Sequence, residues 1–97
     1  MVKIPYCDSN GILTVEVMLE NQSNVFLLDQ TNYNRYRQGQ SFNYYGGYYK
    51  QNPVRITVKG AKRWYLIVDN SAYSYTFIWI ELDVVIYILF TYLKIFF

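Results

Sequence analysis

Nine side chains within eighteen residues have the types and spacing to act together: Tyr33, Arg35, Tyr36, Arg37, Tyr44, Tyr45, Tyr48, Tyr49 and Lys50. Tyrosine rings offer flat faces that stack on bases or sugars. An arginine fork pairs with phosphate through two parallel hydrogen bonds. Tyrosine beside arginine is also what protein interfaces concentrate at their centres. The group therefore predicts recognition of an anionic or sugar-like ligand, or of a protein partner. Tyrosine is equally a good strand former, and neighbours in a strand point to opposite faces. Tyr44 and Tyr45 then cannot line one pocket together if both lie in a strand, and part of the set is expected to cover a sheet.

Charge is distributed unevenly along the chain. The net charge is only +2, yet Asp8, Glu16, Glu20, Asp29, Asp69, Glu81 and Asp83 all lie outside the middle third. Between Asp29 and Asp69 every charge is positive: Arg35, Arg37, Lys50, Arg55, Lys59, Lys62 and Arg63. Such a local basic surface favours anionic partners.

Several chemistries are absent. The chain has no histidine, which closes the usual Ser-His-Asp and Cys-His routes to an activated nucleophile. Its single cysteine, Cys7, supplies neither a zinc cluster nor an internal disulfide, and no activating neighbour marks it as a reactive thiol. Gly46-Gly47 lacks the Lys-Ser/Thr of a phosphate loop. Asp29 and Asp69 could form a carboxylate pair, but each closes an apolar run, where aspartate more commonly accepts backbone N–H bonds at a turn. A non-enzymatic protein with neither metal nor cofactor is expected.

The elements that must position these residues read as strands. Apolar residues alternate in Thr14–Glu20 and in Val54–Lys59, as in strands with one wet face. The runs Val25–Leu28 and Trp64–Val68 are continuously apolar and predict strands buried on both faces, with Trp64 in the core. Glu20–Asn24 and Lys59–Lys62 read as hairpin turns, Arg37–Gln40 and Asp69–Ser71 as turns, and Gly46-Gly47 as a bulge or tight bend. Pro53 starts a strand. Tyr33–Arg37 reads as a loop with at most one helical turn, capped by Thr31 or Asn32. No other helix is expected before residue 80. The pattern predicts an all-β domain, a small antiparallel β-sandwich or barrel of roughly six to eight strands.

The order of NVFLLD, NYNRYRQG, FNYYGG, NPVRITV and RWYLIVDN resembles a bacterial family built around a domain of unknown function, family 1883. The pattern falls on Asn24, Val25, Leu27, Asp29, Asn32, Tyr33, Tyr36, Gly39, Tyr44, Gly46, Gly47, Pro53, Val54, Trp64 and Asp69, over about residues 12 to 80. The resemblance implies a compact, mostly-β module with a sensing or interaction role, sometimes joined to TIR-type signalling domains. It brings no catalytic residues.

The chain therefore divides into one β domain over residues 1–82 and an apolar extension over 83–97. From Val84 onward only Lys94 is charged. Fourteen helical residues span about 21 Å, short of the roughly 30 Å hydrocarbon core. The extension is expected to pack on the domain or to drive homo-oligomerisation, with membrane contact the second expectation. If the extension carries the function, the protein is structural or membrane-associated rather than a binding module. The N-terminus has no apolar stretch of a secretory signal, and with the lone cysteine this predicts a cytoplasmic setting.

Overall fold

The computed structural model describes residues 3–69 and 74–82. Seven strands form two antiparallel sheets: β1 (Tyr6–Ser9), β2 (Ile12–Leu19), β3 (Ser23–Leu28), β4 (Tyr45–Tyr49), β5 (Val54–Lys59), β6 (Lys62–Val68) and β7 (Tyr75–Leu82). One sheet runs β1-β6-β3-β4 and the other β5-β2-β7. The fold is the sandwich form of the expected all-β class. The apolar extension over 83–97 lies outside the described residues. Among the described residues no helix is long and apolar enough to cross a membrane.

The two alternating segments behave as their patterns require. Leu13, Val15 and Val17 of β2, with Val54, Ile56 and Val58 of β5, point inward and are buried. They meet Val25 and Leu27 of β3 and Trp64 and Leu66 of β6 in one core. Each such side chain contributes about 1.5–3 kcal/mol when fully withdrawn from water. Outward on β2 and β5, Glu16 pairs with Arg55 at 2.8 Å and Thr14 with Thr57 at 2.8 Å.

The continuous apolar runs have a different cause. Their outward residues Leu28, Tyr65 and Ile67 are buried too, because a helix, α1 (Gln30–Arg37), lies against β3 and β6. The expected loop is thus a helix of eight residues. Its cap is Asp29 rather than Thr31 or Asn32: the Asp29 carboxylate accepts from the Asn32 backbone N–H at 3.0 Å. Gln30 and Asn34 bond across one turn at 3.0 Å, and Arg35 and Arg37 stand in the last turn, where cations suit the helix dipole. The helix stops at Gly39, whose φ of +71° suits a left-handed cap. Gly39 N–H donates to the Tyr36 carbonyl and Gln40 N–H to that of Arg35, the paired bonds of a Schellman motif. None of this needs an apolar stripe, so hydrophobic periodicity gives no sign of it.

Three expected local features differ. Glu20–Asn24 and Lys59–Lys62 are tight turns but not hairpins, since each carries the chain from one sheet to the other. Turn residues specify a reversal, not the strand that the returning chain pairs with. Gly46-Gly47 is no bulge: β4 runs through both, with Gly46 opposite Phe26 and Gly47 opposite Val25. Glycine is required at 46 because φ is +138° and an added Cβ would overlap the Val25 carbonyl oxygen. The start of β5 is clipped to β2 by Asn52, whose side chain bonds both the N–H and the carbonyl of Leu19, at 2.7 and 2.6 Å.

Candidate functional site

The nine predicted residues do not converge. Tyr33 stacks on Tyr65 at 3.9 Å and 11°, and Arg37 sits 5.7 Å from the Tyr33 ring. Tyr65 leans on Tyr6, which lies beneath Arg63 at 4.2 Å. These rings spend their faces on one another and fasten α1 to the sheet. Tyr36 meets Phe42 edge-on at 5.3 Å, and Phe42 and Phe26 both contact Tyr44. Burial, followed by the Asp69 charge and then Tyr33, pushes the Tyr36 hydroxyl up from its ordinary pKa. Tyr48 stays exposed, whereas Tyr49 packs against the core. They lie roughly 10–13 Å along β4 from Tyr45, by strand rise, and Lys50 follows the strand. Arg35 projects from α1 without an ion pair among the described residues.

The basic stretch is also less bare than its sequence. Arg63 forms a two-pronged pair with Asp8 at 2.7 and 3.0 Å, Arg55 pairs with Glu16, and Lys62 lies 3.8 Å from Asp29. Acids from outside the middle third have been folded onto its cations. Asp29 and Asp69, by contrast, fall at opposite ends of the β3–β6 ladder, about five residues or roughly 17 Å apart. Cooperating carboxylates of glycoside hydrolysis stand within about 10 Å, so these two do not form such a pair. Cys7 is held as a neutral thiol, because burial and then the charges of Glu81 and Asp8 push it up.

Among the described residues, two cavities are large enough for a small molecule. One, about 510 Å³, opens where the segment Lys3–Tyr6 passes Phe77 and Trp79. Its walls are mainly apolar and aromatic, and it marks the seam between the sheets. The other, about 450 Å³, lies where α1 begins and is lined by Leu27, Asp29, Asn32, Asn43, Tyr44, Tyr45 and Trp64. Its volume is that of ordinary ligand clefts, and it gathers hydrogen-bonding groups of both kinds.

Each wall of this second cleft has a local reason. Asp29 is fixed as the cap of α1, its Oδ1 accepting from both the backbone and the side chain of Asn32. Asn32 Oδ1 in turn accepts from the Asn43 backbone N–H at 2.8 Å, which holds the approach to β4 against the helix. Burial acts to raise the Asp29 carboxyl, but the Asn32 bonds and Lys62 outweigh it and leave the group below its ordinary pKa. The Tyr45 ring meets Trp64 edge-on at 5.7 Å and 80°, and Lys62 Nζ stands 5.3 Å from the indole. Trp64 is core, as expected, and only 2% exposed, yet its indole N–H is buried without an acceptor among the described residues. Leaving such a donor unpaired costs on the order of 1–3 kcal/mol.

Of the predicted set, then, the cleft contains Tyr44 and Tyr45 alone. Asn32, Asn43 and Trp64 were not among the candidates from residue chemistry, and Asp29 was weighed only as half of a carboxylate pair with Asp69. One signal did exist: Leu27, Asp29, Asn32, Tyr44 and Trp64 all belong to the spaced pattern set out above. The family model described as "Domain of unknown function (DUF1883)" matches residues 8–81. No curated protein and no solved structure matches the chain.

Proposed function

The chain belongs to the DUF1883 family, and from that premise we propose that it is a non-enzymatic binding module that takes a small polar ligand in the cleft between α1, β4 and β6. A sensing role in a bacterial cytoplasm, beside signalling modules such as TIR domains, is part of this reading. The observation that carries it is the unpaired Trp64 indole N–H in a residue that lines the cleft. A buried donor unsatisfied beside a polar cavity is open to an acceptor that enters that cavity. The cleft also holds the Asp29 carboxylate and the Asn43 amide, groups that orient a ligand. The arginines of α1 serve in this reading as surface, not as ligand contacts.

Native mass spectrometry of the whole chain against a fractionated small-molecule extract tests the proposal. Wild-type protein should carry an adduct that the Asn43→Ala, Tyr45→Ala double variant loses, while Arg35→Ala with Arg37→Ala retains it. An adduct that survives the cleft variant and disappears with the arginines would overturn the reading in favour of a basic surface.

A further inference from the structure

Resting on that binding reading, we propose that the cleft selects a neutral, hydroxyl-bearing ring of monosaccharide size, rather than an ion or a flat heterocycle. Three features of the walls converge on this class.

The first is the pairing of donors with acceptors. Trp64 Nε1–H needs an acceptor. Asp29 Oδ1 is already engaged twice, but Oδ2 has only Lys62 at 3.8 Å and accepts further donors. The exposed Asn43 side chain brings one amide N–H₂ and one carbonyl. A ligand that meets all three must donate and accept at closely spaced atoms, which is what a ring of hydroxyls does.

The second is charge. Asp29 and Lys62 face each other at the site and cancel. A phosphate or carboxylate entering beside Asp29 meets a fixed negative group. An ammonium must displace Lys62 from its partner. Neither sign gains from the field, whereas a neutral polyol has no ionic charge to desolvate.

The third is shape. A nucleobase stacks on a single ring and gains most when two parallel rings sandwich it. Here Tyr45 and Trp64 stand at 80° to each other, so the aromatic walls form a corner and not a slot. A puckered ring with one apolar face and an equatorial belt of hydroxyls fits a corner of that kind, with its apolar face on the half-exposed Tyr45. The Tyr45 ring rests edge-on against the indole, and the proposal makes it the gate to the buried N–H. It is 57% exposed, and a rotamer change in an exposed ring is fast and cheap. Its movement off the indole opens Nε1 to a hydroxyl oxygen.

The test uses the full chain labelled with ¹⁵N and follows its two indole N–H resonances, Trp64 and Trp79, assigned through Trp64→Phe. Methyl pyranosides of the gluco, galacto and manno configurations are titrated in. Matched uronate and amino-sugar methyl glycosides and adenosine form the comparison arms. At least one neutral pyranoside should shift the Trp64 resonance, leave Trp79 unmoved, and bind more tightly than its charged counterparts. Loss of the indole hydrogen bond in Trp64→Phe should weaken binding about five- to tenfold. Asn43→Ala, an exposed change that cannot disturb the core, should weaken it by a similar factor. If a uronate, an amino sugar or adenosine moves Trp64 more strongly than every neutral sugar, the ligand class is wrong while the cleft stands. If no probe of any class moves Trp64, both the class and the binding reading fall.

Discussion

The two sheets of the sandwich share one core and differ on their outer faces. On the β5-β2-β7 sheet the outward residues meet water: Met18, Ile78 and Ile80 are about half exposed, among Thr14, Glu16, Arg55 and Thr57. On the β1-β6-β3-β4 sheet the outward Leu28, Tyr65 and Ile67 are buried under α1. The difference shows that α1 does two jobs. It is a third layer over half of one face, and its capped start supplies one wall of the cleft. Among the described residues no helix lies over the outer face of the bare sheet, and the cavity that its β7 lines, beside Phe77 and Trp79, has no capped helix start in its wall. The cleft lies where an extra layer meets the end of a sheet.

Truncation of matched outward positions should break this comparison most visibly. Leu28→Ala, beneath the helix, should cost about 2–4 kcal/mol in urea unfolding. Ile78→Ala, outward on the bare sheet, should cost well under about 1 kcal/mol. Equal losses would mean that α1 does not seal its face.

A smaller effect should come from the cap. Asp29→Ala should cost about 1 kcal/mol and loosen α1, visible as faster amide exchange from Gln30 to Arg37. Asp29→Asn keeps the capping oxygen and removes the charge, so stability at neutral pH should stay within a few tenths of a kcal/mol. The two differ again in acid. The folded carboxyl of Asp29 lies below its ordinary 3.8. Its contribution is therefore complete above the unfolded value and fades as pH falls below about 4. A pH titration of stability should show a shallower acid limb for Asp29→Asn than for the wild type. The smallest change belongs to the bare sheet: Arg55→Ala, losing an exposed pair with Glu16, should cost under about 1 kcal/mol and less still at high salt.

Much of this architecture was legible in the residues, for identifiable reasons. Val15, Val17, Val54 and Ile56 sit in period-two patterns that only a half-buried strand explains, and the unbroken runs at Val25–Leu28 and Trp64–Val68 announced that something covers their second face. What covers them was not legible, since α1 is built from Gln, Thr, Asn, Tyr and Arg and is held by caps and ring stacking. The partners of β2 and β3 were not legible either, because a short turn looks alike whether the chain stays in its sheet or crosses over. The site was obscured for a third reason. Asp29 and Trp64 each have an adequate structural role, as cap and as core, and only the structure shows that both line one cavity. The tyrosines, conspicuous by number, turned out in large part to pack on other aromatic rings of the fold, Tyr33 on Tyr65, Tyr36 and Tyr44 on Phe42, and Tyr45 on Trp64.

The crossing turns bear on how the chain reaches this state. Tyr6 pairs with Tyr65 and Val15 with Trp79, and among the described strands only β3 and β4 are both neighbours in sequence and partners in one sheet. Almost no strand can therefore rest on the strand made just before it. Such distant pairing places folding in the slow, millisecond-to-second range of β proteins. During synthesis, β2 leaves the ribosome early and keeps one flank unpaired until Tyr75–Leu82 follows it out. That late strand closes a flank that has stood open since early in synthesis, and the interval before it arrives is when the β2 edge is most liable to pair with a neighbouring chain.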